Sequence, residues 1–183
     1  TNAVKTQYDD ITIENLKGKL IIQNGSLQLS NSSLGIIGAT AKMDAFYKNE
    51  GTQKAYFDYK INASEFDIKR AYNEIKMFRE IVTAAESAEG IVGLNYSIKG
   101  VLNNQMEPVM PSLEGSGTLS VKKVKMKGFK LLNVVSAKTE NPDIKDPDIS
   151  KVDIKSTIKN NIVTIERFKF KVAGFRLRFE GQT

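Results

Sequence analysis

The stretch GKLIIQNGSLQLS, residues 18–30, constrains the fold more tightly than any other part of the chain. Asn24-Gly25 suits a two-residue type I′ turn, in which both central residues take positive φ. With the turn there, Ile22 faces Leu27 and Leu20 faces Leu29. All four side chains then fall on one face of the hairpin, while Ile21 and Gln28 share the other. Turn chemistry and period-two hydrophobicity agree on a single register. The alternation continues downstream. Ile37, Ala39, Ala41, Met43 and Ala45 alternate with polar or smaller neighbours, and Ala55, Phe57, Tyr59 and Ile61 alternate with Tyr56, Asp58 and Lys60. Four successive strands in residues 15–63 predict an antiparallel meander.

The period then changes. Ser64 with Asp67 three residues on is a variant of the capping box. Ile68, Ala71, Tyr72, Ile75, Phe78, Val82 and Ala85 recur at helical spacing, and Gly90 offers a stop. Within segment 64–90 this predicts one helix over 67–88 with its apolar stripe on the sheet. Residues 91–127 return to strands. Val92, Leu94, Tyr96 and Ile98 share a face, a loop holds Pro108 and Pro111, and LEGSGTLSVKKVKMKGF reads as a hairpin turning at Lys122-Lys123. GFKLLNVVSAK suits a short helix. Residues 139–150, TENPDIKDPDIS, read as a mobile acidic linker containing Pro142 and Pro147. Three strands are expected in 151–183. The fold class is therefore α+β and β-dominated: a twisted antiparallel sheet of hairpin repeats, open and groove-like, packed by one long and one short helix.

The first hairpin recurs at an offset of 136 residues, aligning Ile22 with Ile158, Asn24 with Asn160, Leu27 with Val163, Leu29 with Ile165 and Gly38 with Gly174. Ala39, Ala41 and Met43 then align with Phe175, Leu177 and Phe179. In that second copy, RFKFKVAGFRLRFEGQT separates two chemistries by parity. Phe168, Phe170 and Val172 point one way and Lys169 and Lys171 the other; after a turn at Ala173-Gly174, Phe175, Leu177 and Phe179 alternate with Arg176 and Arg178. The candidate apolar groove is therefore Leu20, Ile22, Leu27, Leu29, Phe168, Phe170, Val172, Phe175, Leu177 and Phe179. The candidate contacts for anionic groups are Arg167, Lys169, Lys171, Arg176 and Arg178. The turn sets Lys171 against Arg176 and Lys169 against Arg178, which is unfavourable unless an anion or solvent relieves it.

Charge supports the same region. From Leu119 onward there are 15 Lys/Arg against 7 Asp/Glu, and before it 12 against 14, so the excess of +6 is carried by the C-terminal third. Such a patch attracts phosphates of nucleic acid or lipid alike. Nucleic acid is disfavoured because a stacking platform needs rings and charges on one face, whereas here they lie on opposite faces. The chain has no Cys and no His, which removes thiolate and imidazole chemistry. No Walker-type phosphate loop occurs, and Glu114–Gly117 is too short to be one. The expectation is no enzyme, no cofactor and no metal. No apolar run approaches the ~20 residues of a spanning helix. The chain begins TNAVKTQYDD without Met and stops just after the last strand, which reads as an excised piece whose sheet continues.

In order, LKGKLIIQNGSLQLSNSSLGIIGATAKMDAFY, AEGIVGLNYSIKG, SLEGSGTLSVKKVKMKGFKLLNVV and IKNNIVTIERFKFKVAGFRLRFEG resemble the C-terminal region of AsmA-like proteins, over Asn15 to Gly181. The shared features are strands of the form apolar-x-apolar-x-Asn/Asp-Gly-x-apolar, a Gly-rich L-x-G-x-G-x-L strand and a closing glycine-containing strand. Asn160-Asn161 stands where the family usually has Asp-Gly. The resemblance implies a single periplasmic domain, part of a protein anchored in the inner membrane of a Gram-negative bacterium. It implies a role in outer-membrane assembly, with phospholipid or another acyl-chain lipid moving along an apolar β-groove. Partners would then be lipid, the remaining segments of the same chain and envelope proteins. The alternative is a scaffolding β-repeat that binds other proteins without lipid.

Overall fold

The computed structural model describes residues 2–8, 11–49, 51, 54–172 and 174–182. Ten strands form one antiparallel sheet in strict sequence order: β1 (Asn2–Tyr8), β2 (Ile11–Gln23), β3 (Ser26–Ile36), β4 (Ala39–Asn49), β5 (Ala55–Asp67), β6 (Ala88–Leu102), β7 (Glu114–Met126), β8 (Asp148–Lys159), β9 (Ile162–Val172) and β10 (Phe175–Gln182). Among the described residues β1 and β10 each pair on one side only, so the sheet is open. The first meander gains β1, upstream of the expected start at residue 15. Asn24 and Gly25 take φ of 50° and 73°, and Ile22 pairs with Leu27, Leu20 with Leu29 and Ile21 with Gln28, as turn chemistry requires.

One face of the sheet, here called the inner face, carries the core. Ala41, Ala63, Leu94, Leu119 and Ile154 are successive cross-strand partners, and two rows along lie Ala45, Tyr59, Ile98, Gly115 and Ile158. The first row belongs to a large cluster with Ile68, Ala71, Phe78, Leu132 and Ile144; the second belongs to a smaller cluster sealed by Met77, Ile81, Met110 and the fully buried Leu113. The Gly-rich strand has a steric reason. A Cβ on Gly117 would lie 2.5 Å from the Tyr96 ring, and the hydroxyl of Tyr96 lies 3.1 Å from that of Ser156. Bare backbone on β7 lets Tyr96 lie across it.

The helices differ from expectation. In place of one helix over 67–88 there are α1 (Ile68–Glu74) and α2 (Lys76–Ile81), followed by a 3-10 turn over Thr83–Ser87. Ile75 breaks the run with extended backbone, φ −114° and ψ 101°. The guanidinium of Arg79 donates to the carbonyls of Tyr72 and Asn73 at 3.4 and 3.2 Å, satisfying groups that the break exposes. Beyond the break α2 reaches both clusters: Phe78 joins Ile68 and Ala71 of α1 in the larger, and Met77 and Ile81 enter the smaller. The cap is also displaced: β5 runs through Ser64, and it is the Asp67 carboxylate that accepts from Arg70 N–H at 2.8 Å. Gly90 is not a stop, because β6 has already begun at Ala88.

Two further expectations are corrected. Lys122-Lys123 is not a turn: β7 runs unbroken from Glu114 to Met126. Ile91 pairs with Lys123 but Val92 pairs with Val121, so Lys122 is the extra residue of a β-bulge. The bulge resets parity, and Val121 and Val124 both point into the core. Neither lysine takes the positive φ that a I′ turn demands. Segment 139–150 is also anchored rather than mobile. The short helix α3 (Lys130–Thr139) leads into a 3-10 turn over Pro142–Ile144 that buries Ile144, Pro147 accepts from Met126 N–H at 3.0 Å, and β8 starts at Asp148.

The repeat is structural. Asn160-Asn161 turns β8 into β9 with φ of 52° and 61°, and Ile158 pairs with Val163 as Ile22 pairs with Leu27. Gly38 and Gly174 share φ of 76° and 83° in the next turn, whose Ala173 lies outside the described residues. The bulges recur as well: Asn15 and Lys151, 136 apart, take φ of 51° and 55°. Ser30-Asn31 bulge opposite Asp44 on β4, and Glu166-Arg167, at the same offset, bulge opposite Glu180 on β10.

Candidate functional site

All ten candidate apolar residues lie on the inner face, set there by the registers of β2–β3 and β9–β10. They form two flanks, with β4 to β8 between them. On the first flank Leu29 is buried, Leu20 and Leu27 are half-buried, and Ile22 is 72% exposed. On the second, Val172 is buried, Phe168, Phe170, Leu177 and Phe179 are half-buried, and Phe175 is 50% exposed. The Phe168 ring stacks on Phe170 with centroids 5.6 Å apart and tilts against Phe179 at the same distance. The helices cover the centre of the face, so the apolar surface stays open at its two margins rather than closing into one cavity.

The opposite face of β9 and β10 is basic as parity predicts. Lys171 pairs directly with Arg176, and Lys169 with Arg178. Arg167, at the bulge, is engaged in an ion pair. Its Nε and one terminal nitrogen donate to the two oxygens of Glu180 at 2.7 and 2.9 Å, a bidentate pair. Those hydrogen bonds, joined by attraction to Arg167 and Arg178, hold the Glu180 carboxyl below its usual range. In the first copy Asp44 does a related job, accepting from the bulged Asn31 N–H at 2.8 Å.

The sign of the pH effect follows. A depressed carboxyl stabilises the fold above its unfolded pKa of about 4.3, and that contribution is lost as pH falls through the lower folded value. Amide protection, corrected for the intrinsic slowing of exchange in acid, is therefore expected to fall selectively around Arg167 and Glu180 between pH 6 and pH 3. Unchanged relative protection there would remove this pair as a bulge clamp.

One cleft-lining cation escaped the sequence reading. Lys151, at the αL bulge of β8, projects with Lys169, Lys171 and Arg176 around a cleft of about 370 Å³ whose walls also include Asp148. A second cleft of about 500 Å³, near Asp58, Ser97 and Thr157, is already bridged by the Lys99–Glu114 ion pair at 3.1 Å.

No known protein family, curated protein or solved structure matches this chain. Among the described residues no helix is long and apolar enough to cross a membrane, which says nothing of strands. The chemistry the surface offers is separation: apolar margins on one face and a cationic cluster on the other.

Proposed function

We propose that this chain is a non-enzymatic, AsmA-like periplasmic domain that shields the acyl chains of phospholipid or a similar lipid along its inner face, in a protein anchored in the inner membrane and serving outer-membrane assembly. The observation that carries the reading is the apolar face running from β2 to β10 of an open sheet while the helices cover only its centre, leaving Ile22 and Phe175 exposed at opposite flanks. The family and the compartment in this reading rest on the resemblance of the ordered motifs over Asn15 to Gly181 to AsmA-like proteins.

Organic extraction of the purified chain followed by mass spectrometry tests this. Acyl lipid is expected in the extract. Its amount is expected to fall at least roughly tenfold in an Ile22→Asp/Phe175→Asp variant, because burying a side chain of this size contributes about 1.5–3 kcal/mol. A lipid-free extract from native chain, or an unchanged yield from the variant, overturns the proposal.

Among the described residues β10 pairs only with β9, which favours a second reading, a scaffolding module that pairs with another strand. A cysteine introduced at Arg178 in this cysteine-free chain would then crosslink to a neighbouring chain, with no lipid recovered.

A further inference from the structure

The two copies of the repeat differ at one place. In the first, β2 and β3 stay paired beyond the bulge, with Ile13 opposite Ile36, Glu14 opposite Gly35 and Lys17 opposite Ser33. The positions 136 residues later are Ile149 and Val172, Ser150 and Lys171, Asp153 and Lys169. None of these pairs: the β8–β9 ladder holds only from Ser156↔Ile165 to Lys159↔Ile162. Above Ser156 the strands part into a seam, and the edges that would have met leave N–H and C=O groups without ladder partners among the described residues.

The sequence difference at the seam is one of charge. Lys151, Lys169, Lys171 and Arg176 stand where the first copy has Asn15, Ser33, Gly35 and Thr40. All four cations are exposed, and none has an ion-pair partner among the described residues. They line the cleft around Asp148, with Val152 and Phe170 below them. Asp153, the nearest other acid on β8, is engaged by the Ser120 hydroxyl at 2.6 Å. The cleft gathers Lys151 of β8, Lys169 and Lys171 of β9 and Arg176 of β10, and like charges gathered this way repel one another. A polyvalent oxyanion reverses that sign, and the unpaired backbone N–H groups add neutral donors to it.

We infer that the β8–β9 seam is a binding site for a phosphate-class oxyanion, held by Lys151, Lys169, Lys171 and Arg176. Its chemistry does not depend on the acyl-shielding reading: a soluble phosphoester fits it as well as a lipid headgroup.

The test uses the full chain labelled with ¹⁵N and titrated with inorganic phosphate. Saturable amide shifts are expected at Ser150–Val152 and Lys169–Lys171. The Lys151→Asn/Lys169→Ser/Arg176→Thr variant restores residues of the first copy and is expected to weaken binding at least tenfold. A Lys19→Ser/Lys42→Ser/Lys60→Thr control removes equal charge elsewhere and is expected to bind as the native chain does. Circular dichroism verifies that both variants are folded. Shifts that never saturate, or equal losses in both variants, overturn the site. Co-sedimentation with phosphatidylglycerol-containing against pure phosphatidylcholine vesicles identifies the source. Binding to the anionic vesicles that disappears in the seam variant alone assigns a lipid headgroup. Phosphate saturation with no preference for the anionic vesicles assigns a soluble phosphoester.

Discussion

Replacing Gly90 by valine is expected to lower stability by more than about 3 kcal/mol, the upper range for a side chain forced into backbone that only glycine adopts readily. Gly90 sits on β6 with φ of 138°. A Cβ there would lie 2.1 Å from the Lys123 carbonyl oxygen and 2.9 Å from Val124 Cα. Both contacts are backbone, so neither can swing aside. They are also the far side of the Lys122 bulge, the device that turns Val121 and Val124 inward together. The variant must therefore either undo the bulge, sending one valine to solvent, or separate β6 from β7 at the centre of the sheet. Gly128→Ala is the control. Its φ is 66° and nothing lies within 4 Å of the added carbon, so only the left-handed backbone penalty of roughly 1–2 kcal/mol applies. Urea unfolding midpoints compare the two, and equal losses would falsify the close-approach account.

The bulges explain where the sequence could be read and where it could not. A two-residue turn is a local event: Asn24-Gly25 and Asn160-Asn161 announce themselves because few residues tolerate the positive φ involved. Parity then orders everything between turns, and so the apolar and basic faces of β9 and β10 were legible. A bulge asks for one extra residue opposite a partner strand, and almost any outward side chain serves. Lys122 therefore looked like a turn. Arg167 looked like part of the basic face although its bulge aims it at Glu180. Lys151 gave no signal, because its backbone conformation is visible only against Asn15 in the other copy. The break at Ile75 was hidden for a related reason. Helical spacing continues through it, so nothing in the hydrophobic pattern marks Ile75 as the residue that turns extended.

Ile144→Ala is expected to cost about 2–5 kcal/mol, the range for truncating a fully buried aliphatic side chain. The neighbouring Lys145→Ala is expected to stay within about 0.5 kcal/mol, as exposed positions do. Composition places Ile144 in a polar, proline-bearing stretch, yet it is 1% exposed and shares a cluster with Leu132 of α3, Val152 of β8 and Val172 of β9. Asn141 shapes the turn that delivers it, its side chain accepting from Asp143 N–H at 3.0 Å. Val152 and Val172 flank the seam on its inner side, and α3 packs on the turn that carries Ile144, so truncating Ile144 is expected to loosen α3 and the seam together. Hydrogen exchange supplies the second readout. Beyond the global loss, Ile144→Ala is expected to release α3 and the seam-facing amides of β8 before those of β4 to β6, where the ladders are continuous. Uniform loss of protection across the sheet would instead make Ile144 an ordinary core residue with no particular hold on the seam.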